Sequence, residues 1–287
     1  MKWSDFSKLI KLRLTFLVVF SASISFLIGS KVNGEIIWKN WLILITGGFL
    51  VTAAANCFNE IIEKDLDRLM KRTADRPIPA GRMNTGQALV LGLFMAIGGT
   101  YLLGSLNLTT GYLSVFSILL YAFAYTPLKR ISPIAVFVGA IPGALPPLIG
   151  YVAAHEKIDI IALLLFGIQF IWQFPHFWAI AWVLDDDYKL AGFCLLPTGK
   201  RNAGSAIVTF VVTLILVPVS LLPTWYHFGG YYVGGVSLIC SLLFLYLAFV
   251  LLRKRDIAAA KKLMYGSFFY LPVVQLMFLF DFIGKAK

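Results

Sequence analysis

Long apolar segments alternate with short polar segments along the whole chain. A helix needs about 20 apolar residues to cross the hydrocarbon core of a membrane, and most of these segments reach or approach that length. Gly, Pro and charged residues separate them, as expected where helices end. The pattern predicts nine membrane-spanning helices, at 14–30, 40–67, 87–104, 111–127, 133–152, 159–184, 205–223, 232–252 and 263–282.

The amino-acid composition agrees with this pattern. Apolar residues make up 59% of the 287 residues and charged residues 14%, whereas soluble domains carry about 25% charged residues. These values exclude a disordered chain, a disulfide-rich miniprotein and an ordinary soluble enzyme. Because nine spans use most of the apolar residues, we expect a single all-α polytopic membrane domain covering 1–287.

The cysteines argue against two kinds of site, and the N-terminal residues indicate the type of membrane. Cys57, Cys194 and Cys240 are far apart and form no CxxC pair, so they predict neither a disulfide framework nor a zinc site. The first residues match neither a cleavable signal nor an Arg- and Ser-rich transit peptide. We therefore expect a multi-pass protein of a bacterial plasma (inner) membrane.

The net charge of +11 is high for a chain with so few charged residues. Of the 25 basic residues, 20 fall on the N-terminal side of the predicted spans and 5 on the other side. Basic residues concentrate in cytoplasmic loops. The distribution predicts a cytoplasmic N-terminus and, with nine spans, a C-terminus outside.

Two predicted cytoplasmic segments, 60–86 and 184–204, together carry eight carboxylates. A loop that only sets the orientation of the protein needs basic residues and no carboxylates. We therefore expect chemistry in these two segments.

The first acidic segment places oxygen-bearing side chains on one helical stripe. With 100° between successive residues, four of them fall within about 80° of arc. They are Asn56, Asn59, Glu63 and Asp67, whereas Asp65 points elsewhere. Oxygen ligands suit Mg²⁺, which keeps several waters and bridges to substrate phosphates. The alternative is a solvated helix end stabilised by i,i+4 pairs.

The second acidic segment contains Asp185, Asp186 and Asp187 after the sixth predicted helix. Such a run alone is typical of a solvated turn. Four predicted helices separate it from Asp67, however, and an even number of crossings returns the chain to the same membrane face. Two carboxylate clusters on one face would suit a diphosphate held between two Mg²⁺ ions. Basic residues placed to neutralise its remaining oxygens are Lys71, Arg72, Arg76, Lys129, Arg130 and Lys189.

A polar site facing an apolar bundle suits a substrate with a diphosphate head and a hydrocarbon tail. Metal ions and cations would stabilise departing pyrophosphate, and aromatic residues, 15% of the chain, would stabilise the allylic cation that remains. A transporter of polyprenyl phosphates would also need cations and an apolar groove, but not two facing carboxylate clusters. A structural assembly factor leaves the acidic stripe unexplained.

Two of these motifs resemble those of a known superfamily. Asn59-x-x-x-Glu63-x-x-x-Asp67 resembles the NxxxDxxxD motif of the UbiA-type intramembrane prenyltransferases, and Tyr125-x-x-x-Lys129 resembles their YxxxK element. Further blocks resemble the protoheme IX farnesyltransferase (heme O synthase) branch of that superfamily. They are Met70–Thr73 with Arg76-Pro77, Tyr125-Thr126 with Lys129-Arg130, Gly143–Tyr151, Trp172–Trp178, and Asp186–Tyr188 with Ala191-Gly192 and Leu196-Pro197.

The resemblance implies nine helices around a central cavity capped by the two acidic cytoplasmic loops. It implies Mg²⁺-dependent transfer of a farnesyl group from farnesyl diphosphate to a vinyl group of heme B, with hydration, giving heme O and pyrophosphate. Its implied metal ligands, which are also catalytic residues, are Asn59, Glu63, Asp67, Asp186 and Asp187. The further catalytic residues that it implies are Tyr125 and Lys129. The implied partners are the two substrates, the lipid bilayer and a downstream heme A synthase or terminal oxidase assembly, with no nucleic acid.

Two positions depart from the superfamily pattern. Glu63 stands where Asp is usual, and its side chain reaches one methylene further. The second motif lacks DxxxD spacing, because Lys189, Leu190 and Ala191 stand four residues after the three Asp residues. Which of those Asp residues bind metal stays open. An aromatic acceptor of the quinone-biosynthesis type, such as a hydroxybenzoate or naphthoate, is the nearest alternative to heme.

A porphyrin acceptor would need a polar contact within the bundle. His155 and His227 lie in predicted outer loops, whereas His176 lies within the sixth helix. A buried polar ring requires a partner, which would be either heme or a hydrogen bond to a neighbouring helix. Trp172 and Gln173, one turn earlier, complete the candidate heme-binding set.

The fifth predicted helix is the candidate for widening the cavity. It contains Pro142, Pro146 and Pro147. Because proline removes a backbone donor, we expect this helix to be kinked or broken, which would either line a cavity or serve packing alone.

Overall fold

A computed structural model of the chain describes residues 2–283. Most of its helices begin and end at residues close to those predicted. They are α1 (Trp3–Leu9), α2 (Leu12–Asn33), α3 (Trp38–Asp67), α4 (Thr85–Gly104), α5 (Leu108–Leu128), α6 (Ile134–His155), α7 (Ile160–Leu190), α8 (Ala203–Trp225), α9 (Tyr231–Lys254) and α10 (Ile257–Phe280). Within residues 2–283, nine helices, α2 to α10, are long and apolar enough to cross a membrane. This confirms the predicted all-helical membrane fold.

Polar side chains at the N-termini of the helices fix where several of them begin. Asn84 and Gln87 form a reciprocal capping box at the start of α4. Asp159 accepts hydrogen bonds from two backbone N–H groups of α7, and Asn202 and Asp256 cap α8 and α10 in the same way. These side chains satisfy backbone donors that have no partner within the helix.

The helix α7 extends further than its hydrophobicity predicts. The apolar sequence ends at Leu184, yet the helix continues to Leu190. The three Asp residues therefore lie on the last helical turns, so the prediction that they lie in a loop is wrong. Because successive side chains on a helix diverge by about 100°, the three carboxylates point in different directions.

The prolines of α6 do not break it. The helix is continuous from Ile134 to His155 with Pro142, Pro146 and Pro147 inside it. The helix is therefore not broken, which leaves the expectation of a kink. A shorter irregularity occurs in α5, where a π-helical turn spans Leu120–Tyr125 just before Pro127. Proline lacks the N–H needed for the helical ladder. The carbonyl of Tyr121 accepts from the backbone N–H of Thr126 and also from its hydroxyl, at 2.9 Å.

The first helix, α1, was not predicted from the apolar pattern. It is short and is joined to α2 through Lys11, whose backbone is left-handed with φ 47°. Two ion-paired residues hold α1 against the segment 68–84, which we call the cap segment. Arg82 of the cap segment contacts Asp5 at 2.8 Å and Asp75 at 3.0 Å, and Lys8 contacts Asp75.

The buried apolar residues form two clusters, one in each half of the bundle. The first joins α2 to α6 with the start of α7, and the second joins the later part of α7 to α8, α9 and α10. Many large apolar side chains on the outer surface are exposed, as expected where lipid replaces water. Helix α2 packs against α3, α6 and α10 and so connects the two halves around a central cavity.

Candidate active site

The predicted stripe on α3 is buried at the end of the bundle that carries the cap segment. Asn56, Asn59, Glu63 and Asp67 are all at most 3% exposed. Asp65, which was predicted to point elsewhere, has a side chain that is 71% exposed. The stripe is therefore a site inside the protein and not a solvated helix end.

Asn59 and Glu63 are joined to the end of α5. The Asn59 amide donates to Glu63 Oε2 at 2.9 Å and to the Thr126 hydroxyl at 3.0 Å. The Lys129 ammonium lies 2.6 Å from Glu63 Oε1. It also lies 4.8 Å from the ring centre of Tyr125, within the range of a cation–π contact. The YxxxK element and the acidic stripe therefore meet in one place.

Asp67 faces the cap segment. Arg76 Nη1 lies 2.6 Å from Asp67 Oδ2, and the Thr73 hydroxyl donates to the backbone carbonyl of Asp67 at 2.9 Å. The other carboxylate oxygen, Oδ1, is buried and has no hydrogen-bond partner among the described residues. A buried anionic oxygen without a donor is energetically costly, so this atom is a candidate cation ligand.

The three Asp residues at the end of α7 have three different environments. Asp185 is buried and lies 2.7 Å from Lys189 Nζ and 3.7 Å from Arg201 Nε. Asp186 is mostly exposed and accepts both its hydrogen bonds from Arg201. Asp187 accepts hydrogen bonds from the backbone N–H groups of the cap segment, and these contacts bring the two acidic segments together.

The predicted phosphate-binding cations lie around these carboxylates. Lys71, Arg72 and Arg130 are exposed on the polar end of the bundle. The Arg72 guanidinium lies over the ring of Tyr188 on α7, 6.0 Å from the ring centre. Burial lowers the pKa of Lys129, and the Glu63 carboxylate opposes that shift.

Lys11 belongs to the same cluster and was missed by the sequence analysis. Its ammonium donates to Asn59 Oδ1 at 2.7 Å and lies 6.0 Å from the ring centre of Tyr121. Burial first, and then repulsion from Arg76 and Lys129, lowers its pKa well below the usual value for lysine. Arg201 was also missed. In sequence both residues are indistinguishable from the basic residues that only set membrane orientation.

A cavity of about 260 Å³ runs from this polar cluster into the apolar bundle. Asn56, Tyr121 and Tyr125 line its polar end. Deeper in the bundle it is lined by Gly139, Pro142, Gly143 and Pro146 of α6 and by Gln169, Trp172 and Gln173 of α7. Helix α6 therefore lines the cavity while remaining continuous.

Glycines of α6 let side chains from neighbouring helices come close to the backbone. A Cβ atom at Gly143 would lie 2.0 Å from Gln173 Oε1, and one at Gly139 would lie 2.5 Å from the Tyr125 ring. Gln173 donates to the carbonyl of Ala140 at 3.0 Å. The glycines thus fix the positions of Gln173 and Tyr125 along the cavity wall.

The three candidate heme-binding residues are placed differently. Trp172 and Gln173 line the cavity, whereas His176 is not among its lining residues. His176 Nδ1 lies 2.7 Å from the Ser267 hydroxyl on α10, and its imidazole stacks on the Trp172 ring at 4.5 Å between centroids. Two hypotheses were open for His176, a contact with heme or a hydrogen bond to a neighbouring helix, and the structure shows this hydrogen bond.

A second polar group in the cavity was not predicted. Ser21 donates to Gln169 Oε1 at 2.9 Å, and the Gln275 amide donates to both of these residues at 2.8 Å. Gln169 also donates to the carbonyl of Gly143 at 2.7 Å. These bonds join α2, α6, α7 and α10. No periodic pattern in the sequence distinguishes these residues.

Comparisons with known proteins show which sequences the chain is similar to. The model of the UbiA prenyltransferase family matches residues 18–273. A protoheme IX farnesyltransferase from Cytophaga hutchinsonii is 44% identical over 282 residues, covering 98% of each chain. The protein of that name from Flavobacterium psychrophilum is 42% identical, covering 97% of this chain and 94% of the other.

Solved structures support the same fold. A digeranylgeranylglyceryl phosphate synthase superposes with a TM-score of 0.81 at 22% identity, covering 97% of each chain. A UbiA homologue from Archaeoglobus fulgidus bound to GPP and Mg²⁺ superposes with a TM-score of 0.69 at 11% identity, covering 96% of this chain and 99% of the other. At these identities the likeness concerns the fold.

Proposed function

The chain belongs to the UbiA prenyltransferase family, and we propose that it transfers the farnesyl group of farnesyl diphosphate to a vinyl group of heme B. The chain is a prenyltransferase with nine candidate membrane-spanning helices in its described part. The relatives named protoheme IX farnesyltransferase, with identities up to 44%, support farnesyl as the donor group and heme B as the acceptor. The observation that carries the proposal is the buried cluster of carboxylates and cations at the mouth of an apolar cavity.

The cations of the cluster would bind the diphosphate. Lys129 and Arg76 are each paired with one carboxylate, and Lys11 enters from the other side at Asn59. Lys71, Arg72, Arg130 and Lys189 at the rim would contact the outer oxygens. Charge-assisted hydrogen bonds from several cations stabilise a phosphate strongly where water is excluded.

The carboxylates suit Mg²⁺. Among residues 2–283 no three His, Cys, Asp or Glu side chains converge on a metal-binding position. Mg²⁺ usually takes only one or two carboxylates together with water and phosphate oxygens, so Asp67 Oδ1, Glu63 and Asn59 would suffice for one ion. The buried Asp185 near the end of α7 would serve a second. Bound Mg²⁺ would offset the negative charge that develops on pyrophosphate.

The apolar cavity would hold the prenyl chain and the acceptor. Tyr121 and Tyr125 lie at its polar end, where the first carbon of the prenyl group would be. Their ring faces would stabilise the allylic cation after the C–O bond to diphosphate breaks. That carbon then bonds to the terminal vinyl carbon, water adds to the other vinyl carbon, and one proton is released.

The acceptor would lie against Trp172 and Gln173 of α7. Trp172 offers a flat ring, and Gln173 offers an amide beside the α6 backbone. His176 would act from behind Trp172, because it stacks on that ring and is fixed by Ser267. A heme A synthase or a terminal oxidase assembly would then receive the product.

The distribution of basic residues supports the orientation within a bacterial inner membrane. The polar cluster lies at the end that carries most of the lysines and arginines, which the positive-inside rule assigns to the cytoplasm. We propose that the whole chain, 1–287, forms one prenyltransferase domain. Its N-terminus would be cytoplasmic and its C-terminus outside.

One assay tests the proposed reaction. The purified protein is incubated in lipid nanodiscs with heme B, farnesyl diphosphate and Mg²⁺, and the hemes are separated and weighed by mass spectrometry. We expect a heme with one added farnesyl group and one added hydroxyl group, and none when Mg²⁺ is chelated. Farnesylation of a hydroxybenzoate or naphthoate instead of heme would overturn the heme assignment and leave the prenyltransferase intact.

A further inference from the structure

One side chain of the second acidic segment is hydrogen-bonded to the backbone of the first. Asp187 Oδ1 accepts from the N–H of Lys71 at 2.9 Å, and Oδ2 lies 3.5 Å from the N–H of Arg72. Both oxygens of Asp187 therefore face the cap segment. This differs from Asp67, whose Oδ1 has no hydrogen-bond donor within residues 2–283.

The two backbone donors need such a partner. The chain turns at Met70, whose carbonyl accepts from the N–H groups of Thr73 and Ala74 at 3.1 Å and 2.9 Å. Lys71 and Arg72 come before Thr73 and Ala74 in this turn. The first N–H groups of a helical turn have no acceptor within it, so those of Lys71 and Arg72 need one from outside. A carboxylate placed there acts as a cap and is favoured by the positive end of the turn.

Two side-chain contacts also attach residues 70–72 to the second half of the bundle. The Met70 side chain is fully buried in the apolar cluster formed mainly by α7 to α10. The Arg72 guanidinium lies over the ring of Tyr188. The rest of the cap segment is bound to the first half, through Arg76 to Asp67 and through the N–H of Ile78 to Glu60 at 3.1 Å.

We propose that Asp187 is a positioning residue that latches the cap segment across the cavity mouth and is not a metal ligand. Its carboxylate holds the backbone of residues 71 and 72, so that the Lys71 and Arg72 side chains are presented to the diphosphate. The metal-facing role at the end of α7 then falls to the buried Asp185. The part played by Lys71 and Arg72 rests on the proposed function, whereas the latch itself does not.

Two substitutions at one position separate the alternatives. Asp187→Asn keeps an oxygen that accepts from backbone N–H groups, whereas Asp187→Ala removes it. If Asp187 is the latch, Asp187→Ala raises the KM for farnesyl diphosphate by roughly tenfold or more, and Asp187→Asn restores most of this loss. The Mg²⁺ concentration for half-maximal activity stays the same in both.

Hydrogen exchange tests whether Asp187 protects these backbone amides, and it needs no enzymatic assay. In the ligand-free protein, mass spectrometry of peptides covering residues 68–76 measures how fast the amides of Lys71 and Arg72 exchange. We expect exchange about tenfold faster in Asp187→Ala than in the wild type, with Asp187→Asn close to the wild type. This readout holds even if the acceptor proves not to be heme.

A backbone variant supplies a second route if Asp187→Ala does not fold. Lys71→Pro removes the N–H donor together with the side chain, and Lys71→Ala removes the side chain alone. The latch predicts that Lys71→Pro exposes the 68–76 amides to exchange and raises the KM for farnesyl diphosphate beyond the value for Lys71→Ala.

Three results would overturn the latch. One is unchanged exchange in both Asp187→Ala and Lys71→Pro. Another is a loss of kcat in Asp187→Asn as large as that in Asp67→Asn. The third is a raised Mg²⁺ requirement in Asp187→Asn, since that would make Asp187 a metal ligand.

Discussion

The ammonium of Lys129 lies 2.6 Å from the carboxylate of Glu63, and both side chains are buried. The same ammonium lies 4.8 Å from the ring centre of Tyr125, which lines the cavity. Glu63 lies on α3 and Lys129 directly follows α5, so the ion pair joins two helices. A buried ion pair adds little net stability, but removing one partner leaves an uncompensated charge. We therefore expect the pair to act in binding a charged substrate and not in stabilising the fold.

We predict that Lys129→Met abolishes prenyl transfer and lowers the free energy of unfolding by about 3 kcal/mol, because Glu63 remains charged and buried. The double variant Lys129→Met with Glu63→Gln should regain most of the stability without regaining activity. Thermal unfolding in detergent and the prenyl-transfer assay measure the two effects. Equal stability of the single and double variants would contradict this account of the pair.

Two acids on the same helix provide a matched test of the α3 stripe. Asp67→Asn should lower kcat by roughly 100-fold or more, because it removes a charged oxygen that is buried and has no donor in the described part of the chain. Asp65→Asn, two residues earlier on the exposed face, should change kcat by less than about twofold. Both variants receive the same chemical change at the same end of α3. Similar losses of kcat in the two variants would contradict a specific role for the buried face of α3.

The membrane fold could be predicted because hydrophobicity alone determines it. Each span needs about 20 apolar residues, and the predicted segments coincide with α2 to α10 to within several residues. The stripe on α3 was also predictable, since 3.6-residue periodicity brings Asn59, Glu63 and Asp67 to one side whatever the surroundings.

Features that depend on hydrogen bonding or on tertiary contacts were not predictable. The charged end of α7 breaks the apolar pattern without breaking the helical ladder, so Asp185–Asp187 looked like a loop. Lys11 reaches Asn59 because its left-handed backbone turns the chain between α1 and α2, and no spacing rule reports that. The partner of His176 lies on α10, ninety-one residues away in sequence.

The cavity wall can be tested with two glycines. Gly143→Ala would place a methyl group 2.0 Å from Gln173 Oε1, whereas at Gly167 of α7 a methyl group would meet nothing within 4 Å. We expect Gly143→Ala to lower stability by about 1–3 kcal/mol through overpacking and to raise the KM for heme more than that for farnesyl diphosphate. Gly167→Ala should leave both KM values unchanged. A rise confined to the farnesyl diphosphate KM would place the acceptor elsewhere.

The last prediction concerns two lysines at the N-terminus. Lys11 is half-buried and donates to Asn59, whereas Lys8 is exposed and paired with Asp75 on the surface. Lys11→Met should raise the KM for farnesyl diphosphate by roughly tenfold, since a desolvated cation contributes far more to phosphate binding than an exposed one. Lys8→Met should have little effect, because exposed ion pairs are worth about 0–1 kcal/mol. Steady-state kinetics at varied farnesyl diphosphate measures both. An unchanged KM in Lys11→Met, with normal thermal stability, would place Lys11 outside the diphosphate site.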